Sequence, residues 1–295
     1  MRHLYREQAP PIVQLMAVVS CHELLNSPDK QRVTGLSWEG GDQTGLASGG
    51  RETMKTYTFV LVHGAWHVGE DLNDVAVGLR RGGHTVYTPT LLGNRPTDNK
   101  SVNLTDVIDD LVGYFKDNAI TDAVMYSHSY GGMVATGAYD KLPEGSVRRL
   151  IYHCSFVPNN GESLIDLCPP AFQSFWRDAR QPDDSVSLPY IIWREALMND
   201  ADEDLAKRTH ATKGSHPFNT VNERIQLTRN PVDFPCGKSY IKSQWDWGQP
   251  PSLLGYYRFV ERLGLYRHIE MVGGHETCFT DPEGLAKAIY LAGRD

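Results

Sequence analysis

From about residue 54 onward, the chain alternates between short apolar runs typical of buried strands and segments with the apolar spacing of amphipathic helices. The strand patterns are followed in turn by helix patterns. Strands that alternate with helices in this way predict an α/β fold with a mostly parallel sheet covered by helices on both faces. The predicted strands cover 56–62, 85–87, 122–126, 149–154, 238–243 and 269–272, and the predicted helices cover 70–81, 104–115, 253–263 and 282–291.

The alternation is interrupted once, between the fourth and fifth strand patterns. Residues 157–236 contain several prolines and many aromatic residues but no clear sheet strand. An insertion at this place, before the last two strands, predicts a helical lid over the carboxyl ends of the strands.

The first 53 residues differ from the rest. Residues 26–53 are rich in Gly, Ser, Asp and Gln without apolar periodicity, which is typical of a linker or of disorder. The apolar stretch 12–19 ahead of Cys21 imitates an export signal, although prolines and a glutamine interrupt it. We expect 1–53 to be a disordered or non-native extension and 54–295 to be the folded domain.

Composition excludes several classes of partner. The net charge of −7 and the pI of about 5.9 argue against a nucleic-acid-binding surface. No apolar run reaches the 18 residues of a membrane span. The five cysteines are scattered without a C-x-x-C pair, which favours reduced thiols in a cytoplasmic protein. The partner expected is a small-molecule substrate, and a homodimer is left open.

Residues 127–132, with the sequence SHSYGG, lie between a strand pattern and a helix pattern. A serine on a sharp strand-to-helix turn is the nucleophile elbow of α/β-hydrolases, G-x-S-x-G. The strained turn needs small residues two positions either side of the nucleophile. Those positions hold Ser127 and Gly131 around Ser129, so serine replaces the first glycine.

A serine nucleophile needs a base and an acid that orients the base, and in this fold they follow in the order Ser, acid, His. His275 comes late, after a glycine-rich turn, and is the predicted base. Asp246 lies just past the preceding strand and is the predicted acid. Asp233 precedes that strand and Asp281 follows the histidine, so both are weaker alternatives.

An oxyanion hole requires backbone N–H groups aimed at the developing negative charge. One is expected from Tyr130, directly after the nucleophile. The second is expected from Ala65, in the loop HGAW at 63–66 after the first strand.

Four stretches resemble one branch of the α/β-hydrolases, which contains EstC-type bacterial esterases, plant methyl esterases of the salicylic-acid-binding-protein type and hydroxynitrile lyases. The resemblance covers roughly 56–165 and 238–292, and the lid matches poorly. It implies the same nucleophile, acid, base and oxyanion residues as the motifs above. The stretches are TFVLVHGAWH (58–67), GHTVYTPTL (83–91), HSYGGMV (128–134) and FVPNNGESL (156–164).

Two departures disfavour lyase chemistry. Hydroxynitrile lyases have a lysine directly after the histidine and a threonine directly after the early-strand histidine, where this chain has Glu276 and Gly64. A lysine would stabilise departing cyanide, whereas a glutamate would repel it.

The sequence therefore predicts a serine hydrolase that cleaves a carboxylic ester or lactone through an acyl-enzyme. Aromatic residues near the predicted site favour a small, largely apolar or aromatic substrate. No metal or cofactor motif is present. Lyase or cofactor-free oxygenase chemistry on the same fold, and a receptor with little turnover, are the alternatives. The predicted substrate-binding residues are Trp66, His128, Phe156, Trp176 and Trp193.

Overall fold

A computed structural model of the chain describes residues 55–250 and 252–295. The predicted N-terminal extension, and the alternative that it carries an export signal, lie outside these residues. Within them, no helix combines the length and the apolar character needed to cross a membrane.

Six strands form one sheet in the order β2-β1-β3-β4-β7-β8, and every neighbouring pair in it is parallel. The predicted α/β architecture with a mostly parallel sheet is thereby confirmed. The remaining two strands form a separate antiparallel pair. In chain order the strands are β1 (Thr58–Val62), β2 (Thr85–Tyr87), β3 (Ala123–His128), β4 (Val147–His153), β5 (Ser185–Val186), β6 (His216–Pro217), β7 (Gly237–Ser243) and β8 (Arg267–Met271).

Helices cover both faces of the sheet, and each face forms its own buried cluster with them. Successive side chains of a strand point to opposite faces, so neighbouring residues of β1 belong to different clusters. Phe59 and Leu61 of β1 belong to one buried cluster, and Val60 and Val62 belong to the other. The first cluster includes residues of the helices Asn73–Arg81 and Pro282–Gly293. The second includes residues of the helices Leu104–Asp117, Gly131–Lys141 and Tyr256–Val260.

Helix boundaries differ from the predicted ones by a few residues. The predicted helix at 70–81 opens as a 3₁₀ turn, Gly69–Leu72, before the α-helix begins. The predicted helix at 253–263 is shorter and ends in a second 3₁₀ turn, Glu261–Leu263. Asn103 caps its helix reciprocally: its side chain accepts from the Asp106 N–H at 3.0 Å and its own N–H donates to the Asp106 carboxylate at 2.9 Å.

The insertion between β4 and β7 is mainly helical, as predicted, and the β5–β6 pair was not foreseen. The insertion contributes aromatic residues to the cavity wall described below. Its elements are the helices Leu164–Leu167, Pro170–Asp178, Tyr190–Ile192, Glu203–His210 and Phe218–Asn222, the π-turn Trp193–Leu197 and the 3₁₀ turn Pro231–Asp233.

Candidate active site

Ser129 occupies the turn between β3 and the helix Gly131–Lys141 with a backbone φ of +52°. This left-handed conformation is costly for a residue with a Cβ and persists only where neighbours hold it. The Ser129 carbonyl accepts from the Ser155 hydroxyl at 2.7 Å and from the Phe156 N–H at 3.2 Å. The turn after β4 therefore fixes the strained turn after β3.

Two glycines follow Ser129 because no Cβ fits there. A Cβ on Gly131 would lie 2.6 Å from the His63 carbonyl oxygen, and one on Gly132 would lie 2.1 Å from that of Phe156. Both distances are far inside van der Waals contact, so the turn can approach the loops after β1 and β4 only with glycine.

Ser127, which replaces the first glycine of the elbow motif, is buried, and its hydroxyl makes one hydrogen bond. Its hydroxyl donates to the Ile151 carbonyl on the neighbouring strand at 3.1 Å. The serine side chain thus fits within the sheet and leaves no unpaired polar atom.

His275 and Asp246 meet at the carboxyl edge of the sheet, although 28 residues separate them. His275 Nδ1 lies 2.8 Å from Asp246 Oδ1, and both side chains are buried. Asp246 Oδ1 also accepts from the Gln249 N–H at 2.9 Å. Asp233 and Asp281 have no such contact with His275 among the described residues, so the geometry favours Asp246.

His275 and Asp246 each stabilise the charged form of the other. Burial alone would lower the pKa of His275, but the negative charges of Asp246 and Glu276 outweigh it and raise that pKa. Burial would likewise raise the pKa of Asp246, but His275 and the hydrogen bonds to the carboxylate bring it below its usual value. The resulting carboxylate holds the imidazole with Nδ1–H directed at it.

Ser129 and His275 line one cavity, whose empty volume including its opening is about 640 Å³. Among the described residues the Ser129 hydroxyl makes no hydrogen bond to the imidazole. Such contacts are often long until a substrate is bound. Ala65 and Tyr130 line the same cavity, and in the described part of the chain neither backbone N–H has a hydrogen-bond partner.

The cavity wall is largely apolar, and most of its apolar residues come from the insertion. Trp66, Phe156 and Trp176, three of the predicted substrate-binding residues, line it. The Nε1–H of Trp66 donates to the Val186 carbonyl of the insertion at 2.8 Å. The remaining apolar lining residues are Leu164, Cys168, Pro169, Phe172, Ile192 and Leu197.

The other two predicted substrate-binding residues lie elsewhere. Trp193 is fully buried in the insertion, where its Nε1–H donates to the Ala206 carbonyl at 3.0 Å, and it does not line the cavity. His128 lies behind the base: its Nε2 is 3.0 Å from the His275 carbonyl oxygen. Burial lowers the pKa of His128 to about 3, so this neutral ring donates to the carbonyl and supports the His275 loop.

Three polar lining residues were not predicted as substrate-binding or positioning residues: His67, Gln249 and Glu276. The side-chain Nε2 of Gln249 is buried and has no partner among the described residues. Each lies within three residues of a predicted site residue, and Glu276 also occupies the position at which hydroxynitrile lyases have a lysine.

A second cavity lies on the outer side of the insertion. It is lined mainly by polar and charged residues, among which Arg224 pairs with Asp166 and Glu223 accepts from Thr105. It contains no residue of the predicted nucleophile, base or acid. The first cavity is therefore the candidate active site.

Among residues 55–250 and 252–295, three groups of buried side chains have potential metal-ligating atoms within 4.8 Å of one another. All overlap the candidate site, and two include His275. A metal bound in those two would compete with the contacts of the His275–Asp246 pair. The expectation of no metal stays a prediction. The groups are His67, Glu276 and Cys278; His128, His275 and Glu276; and Cys154, Asp246 and His275.

Known proteins resemble this chain in sequence and fold. A carbendazim hydrolyzing esterase from a Nocardioides species is 42% identical over 116 residues, which cover 38% of this chain and 48% of that protein. The match thus spans about half the length of that relative.

Solved structures match most of the described part. An extracellular alpha/beta-hydrolase from a Paenibacillus species, described as sharing structural and functional homology with tobacco salicylic acid binding protein 2, has a TM-score of 0.78 and 28% identity, covering 81% of this chain and 100% of that one. A methylesterase from Arabidopsis has a TM-score of 0.64 and 19% identity, covering 80% and 98%. The latter likeness concerns the fold alone.

The alpha/beta hydrolase family model matches residues 59–288, which include the elbow, the acid loop and the histidine loop. The sheet order, the strained serine after β3 and the histidine after β8 agree with that match. The chain belongs to the alpha/beta hydrolase family.

Proposed function

We propose that this protein is a carboxylesterase-type serine hydrolase in which Ser129, His275 and Asp246 act as nucleophile, base and acid. The observation that carries the proposal is the 2.8 Å His275–Asp246 contact. His275 and Ser129 line one cavity with two backbone N–H groups that have no partner among the described residues. A buried acid–base pair beside a strained serine is the arrangement that nucleophilic ester cleavage requires.

The first half-reaction would form an acyl-enzyme. Ser129 Oγ attacks the ester carbonyl while His275 Nε2 takes the hydroxyl proton, and Asp246 stabilises the resulting imidazolium. The Ala65 and Tyr130 N–H groups bind the oxyanion of the tetrahedral intermediate. When the intermediate collapses, the bond to the alcohol oxygen breaks, and His275 returns the proton to the leaving alcohol.

In the second half-reaction, water takes the place of Ser129 as the nucleophile and Ser129 is the leaving group. His275 removes a proton from water, the hydroxide attacks the acyl carbon, and the bond to Ser129 Oγ breaks as the serine regains its proton. The carboxylic acid leaves and the free enzyme is restored.

The substrate class follows from the cavity wall. Trp66, Phe156, Phe172 and Trp176 offer flat apolar surfaces, which favour a small aromatic or apolar ester or lactone. The 42% identical relative is named as a carbendazim hydrolyzing esterase, which supports esterase activity in this chain. Cyanide release is disfavoured by the Glu276 carboxylate, whose pKa is lowered because the nearby His67 and His128 outweigh the opposing effect of burial.

Residence in the cytoplasm is part of the same proposal. The four cysteines in the described part of the chain are free thiols, and three of them are buried. Free thiols persist in reducing compartments.

Covalent labelling tests the mechanism. The full chain is incubated with a fluorophosphonate and its intact mass is measured, with Ser129→Ala as the matched control. We expect one adduct on the wild type and none on the variant, and loss of p-nitrophenol release from short acyl esters by a factor on the order of 10⁴ or more in Ser129→Ala. A folded wild type that stays unlabelled, or a variant that retains turnover, contradicts the proposal and favours the lyase or receptor alternatives.

A further inference from the structure

A second histidine–carboxylate pair lies directly beside the proposed base. Glu276 follows His275 in the chain, and its Oε2 lies 3.1 Å from Nε2 of His67. The two side chains are 1% and 3% exposed. A buried carboxylate is tolerated only where it is paired, so His67 and Glu276 each need the other.

The other edge of His67 reaches the loop after β1. Its Nδ1 lies 2.7 Å from the Ala65 carbonyl oxygen. A carbonyl oxygen only accepts, so Nδ1 carries a hydrogen and donates it. The Nε2 of His67 lies within ion-pair distance of the Glu276 carboxylate, although it makes no hydrogen bond among the described residues.

A neighbouring histidine holds the preceding peptide of the same loop. His63 Nδ1 lies 2.8 Å from the Gly64 carbonyl oxygen, and His63 Nε2 accepts from the Leu91 N–H at 3.0 Å. The Gly64 carbonyl and the Ala65 N–H belong to one peptide unit and point in opposite directions. Two successive carbonyls are thus each held by a histidine, while the Ala65 N–H has no hydrogen-bond partner among the described residues.

We propose that Glu276 and His67 form a positioning pair, which fixes the oxyanion loop relative to the histidine loop. The contacts run from the backbone of His275 through Glu276 and His67 to the Ala65 peptide. The inference rests on the proposed function, because it takes the Ala65 N–H as an oxyanion donor. Neither residue is a catalytic residue in this scheme: each acts through Ala65 or His275.

The Glu276–His67 pair should affect stabilisation of the transition state more than binding of the substrate. A backbone donor stabilises an oxyanion only if it is held at about 2.7–3.1 Å from the position where the charge develops. If the loop after β1 becomes mobile, the hydrogen bond from the Ala65 N–H to the oxyanion weakens. The apolar cavity wall, which would bind the substrate before it reacts, stays unchanged. The expected signature is a lower kcat with little change in KM.

The charge of Glu276 also acts on the base, since it contributes to the raised pKa of His275. Other groups face the pair from neighbouring elements. His128 and His153 approach from β3 and β4, and Cys278 contacts the Glu276 carboxylate at 3.7 Å. The loop after β1 contributes His63, and the buried Lys213–Asp71 pair lies close by.

The test compares Glu276→Gln and His67→Asn with the wild type, and Glu283→Gln, an exposed glutamate, serves as the matched control. Fluorophosphonate labelling rates, kcat, KM and the pH profile of kcat/KM are measured on the full chain. We expect Glu276→Gln to lose about 10-fold to 100-fold in kcat and in labelling rate, with KM changed less than about threefold. Its acidic limb should move to lower pH, because a neutral amide no longer stabilises the His275 imidazolium.

The asparagine variant separates positioning from mere packing. Asparagine can place its Nδ2 near the position of His67 Nδ1 and keep the bond to the Ala65 carbonyl, whereas His67→Leu cannot. We therefore expect His67→Asn to retain more kcat than His67→Leu. A purely structural pair would lower the melting temperature but leave the labelling rate and the acidic limb of the folded protein unchanged.

Two results overturn the inference. One is a folded Glu276→Gln variant with wild-type kcat and an unshifted acidic limb. The other, which decides the matter if Glu276→Gln does not fold, is equal kcat in His67→Asn and His67→Leu. A wild type that is not labelled defeats the proposed function itself, whereas labelling at equal rates in wild type and variants defeats only the positioning pair.

Discussion

Trp66 of the loop after β1 stacks on Trp176 of the insertion, with ring centroids 4.7 Å apart and planes inclined by 4°. Trp66 adjoins the proposed oxyanion donor Ala65, has a positive φ of 65°, and lines the cavity together with Trp176. The insertion is therefore attached to the loop that would stabilise the oxyanion. The proposed substrate-binding wall and the proposed oxyanion loop therefore share one aromatic contact.

Removing this contact should affect both stability and substrate binding. Trp176 is 4% exposed, so we expect Trp176→Ala to cost about 3–5 kcal/mol of unfolding free energy. KM for aryl esters should rise severalfold, because a wall of the cavity is lost. Urea unfolding and steady-state kinetics measure the two effects. Trp245→Ala is the control, since Trp245 is 51% exposed, and an equal loss in both variants would contradict the assignment.

Glycine substitutions test the elbow. Gly132→Ala should abolish activity and destabilise the fold, because its Cβ would lie 2.1 Å from the Phe156 carbonyl oxygen. Gly113→Ala should instead stabilise the fold and leave activity unchanged. Its Cβ meets nothing within 4 Å in the helix Leu104–Asp117, and alanine is favoured there by roughly 0.5–1 kcal/mol. Thermal unfolding and ester turnover of both variants provide the measurement, and a stable, active Gly132→Ala enzyme would refute the packing argument.

Acid should destabilise the protein well before its carboxylates titrate. Burial lowers the pKa of His63 and of His128 to about 3, from an ordinary 6.5. Between pH 3 and pH 6.5 the unfolded chain binds more protons than the folded chain. The free energy of unfolding therefore has its full value above pH 6.5 and falls as the pH drops toward 3. Each histidine should cost ~2 kcal/mol at pH 5, because one pH unit in this window is worth ~1.4 kcal/mol.

Urea unfolding at pH 7.5, 6 and 5 measures this loss. Glu276, whose pKa is also lowered in the folded protein, should reduce the free energy of unfolding further at still lower pH. Its contribution to stability disappears as the carboxylate is protonated. Equal unfolding free energies at pH 7.5 and pH 5 would show that the two buried histidines are not held neutral.

Gln249 should limit stability. Its buried Nε2 has no partner among the described residues, which typically costs about 1–3 kcal/mol. Gln249→Leu removes that amide and keeps the backbone N–H that donates to Asp246, so we expect a higher melting temperature and an intact pH profile. Differential scanning calorimetry measures the shift. Gln226→Leu, at an exposed site, should give no such gain; a less stable Gln249→Leu protein would mean that the amide is satisfied.

Much of the architecture could be predicted from local pattern. β1 and β3 were visible as apolar runs in the sequence. The parallel sheet follows from strand–helix alternation, because a helix that returns the chain to the same edge makes the next strand parallel. Strand ends were shifted by one or two residues, since pairing with neighbours decides where a strand stops.

The candidate site was predictable in its order along the chain and not in its surroundings. Ser129, Asp246 and His275 each follow a strand, and the carboxyl ends of parallel strands share one edge, so their meeting could be expected. Trp193 and Trp176 look alike in sequence, yet one is buried inside the insertion and the other lines the cavity. Aromatic composition does not encode that choice, because it depends on how the helices of the insertion pack.

The sequence by itself determined the class of fold, the elbow and the succession of serine, aspartate and histidine, because periodicity and turn chemistry act over a few residues. Only the tertiary structure decided that Glu276 faces His67, that His128 supports the His275 loop and that Trp66 stacks on Trp176. These contacts join segments far apart in the chain. Their partners are selected by burial and charge in the folded core, which no local pattern specifies.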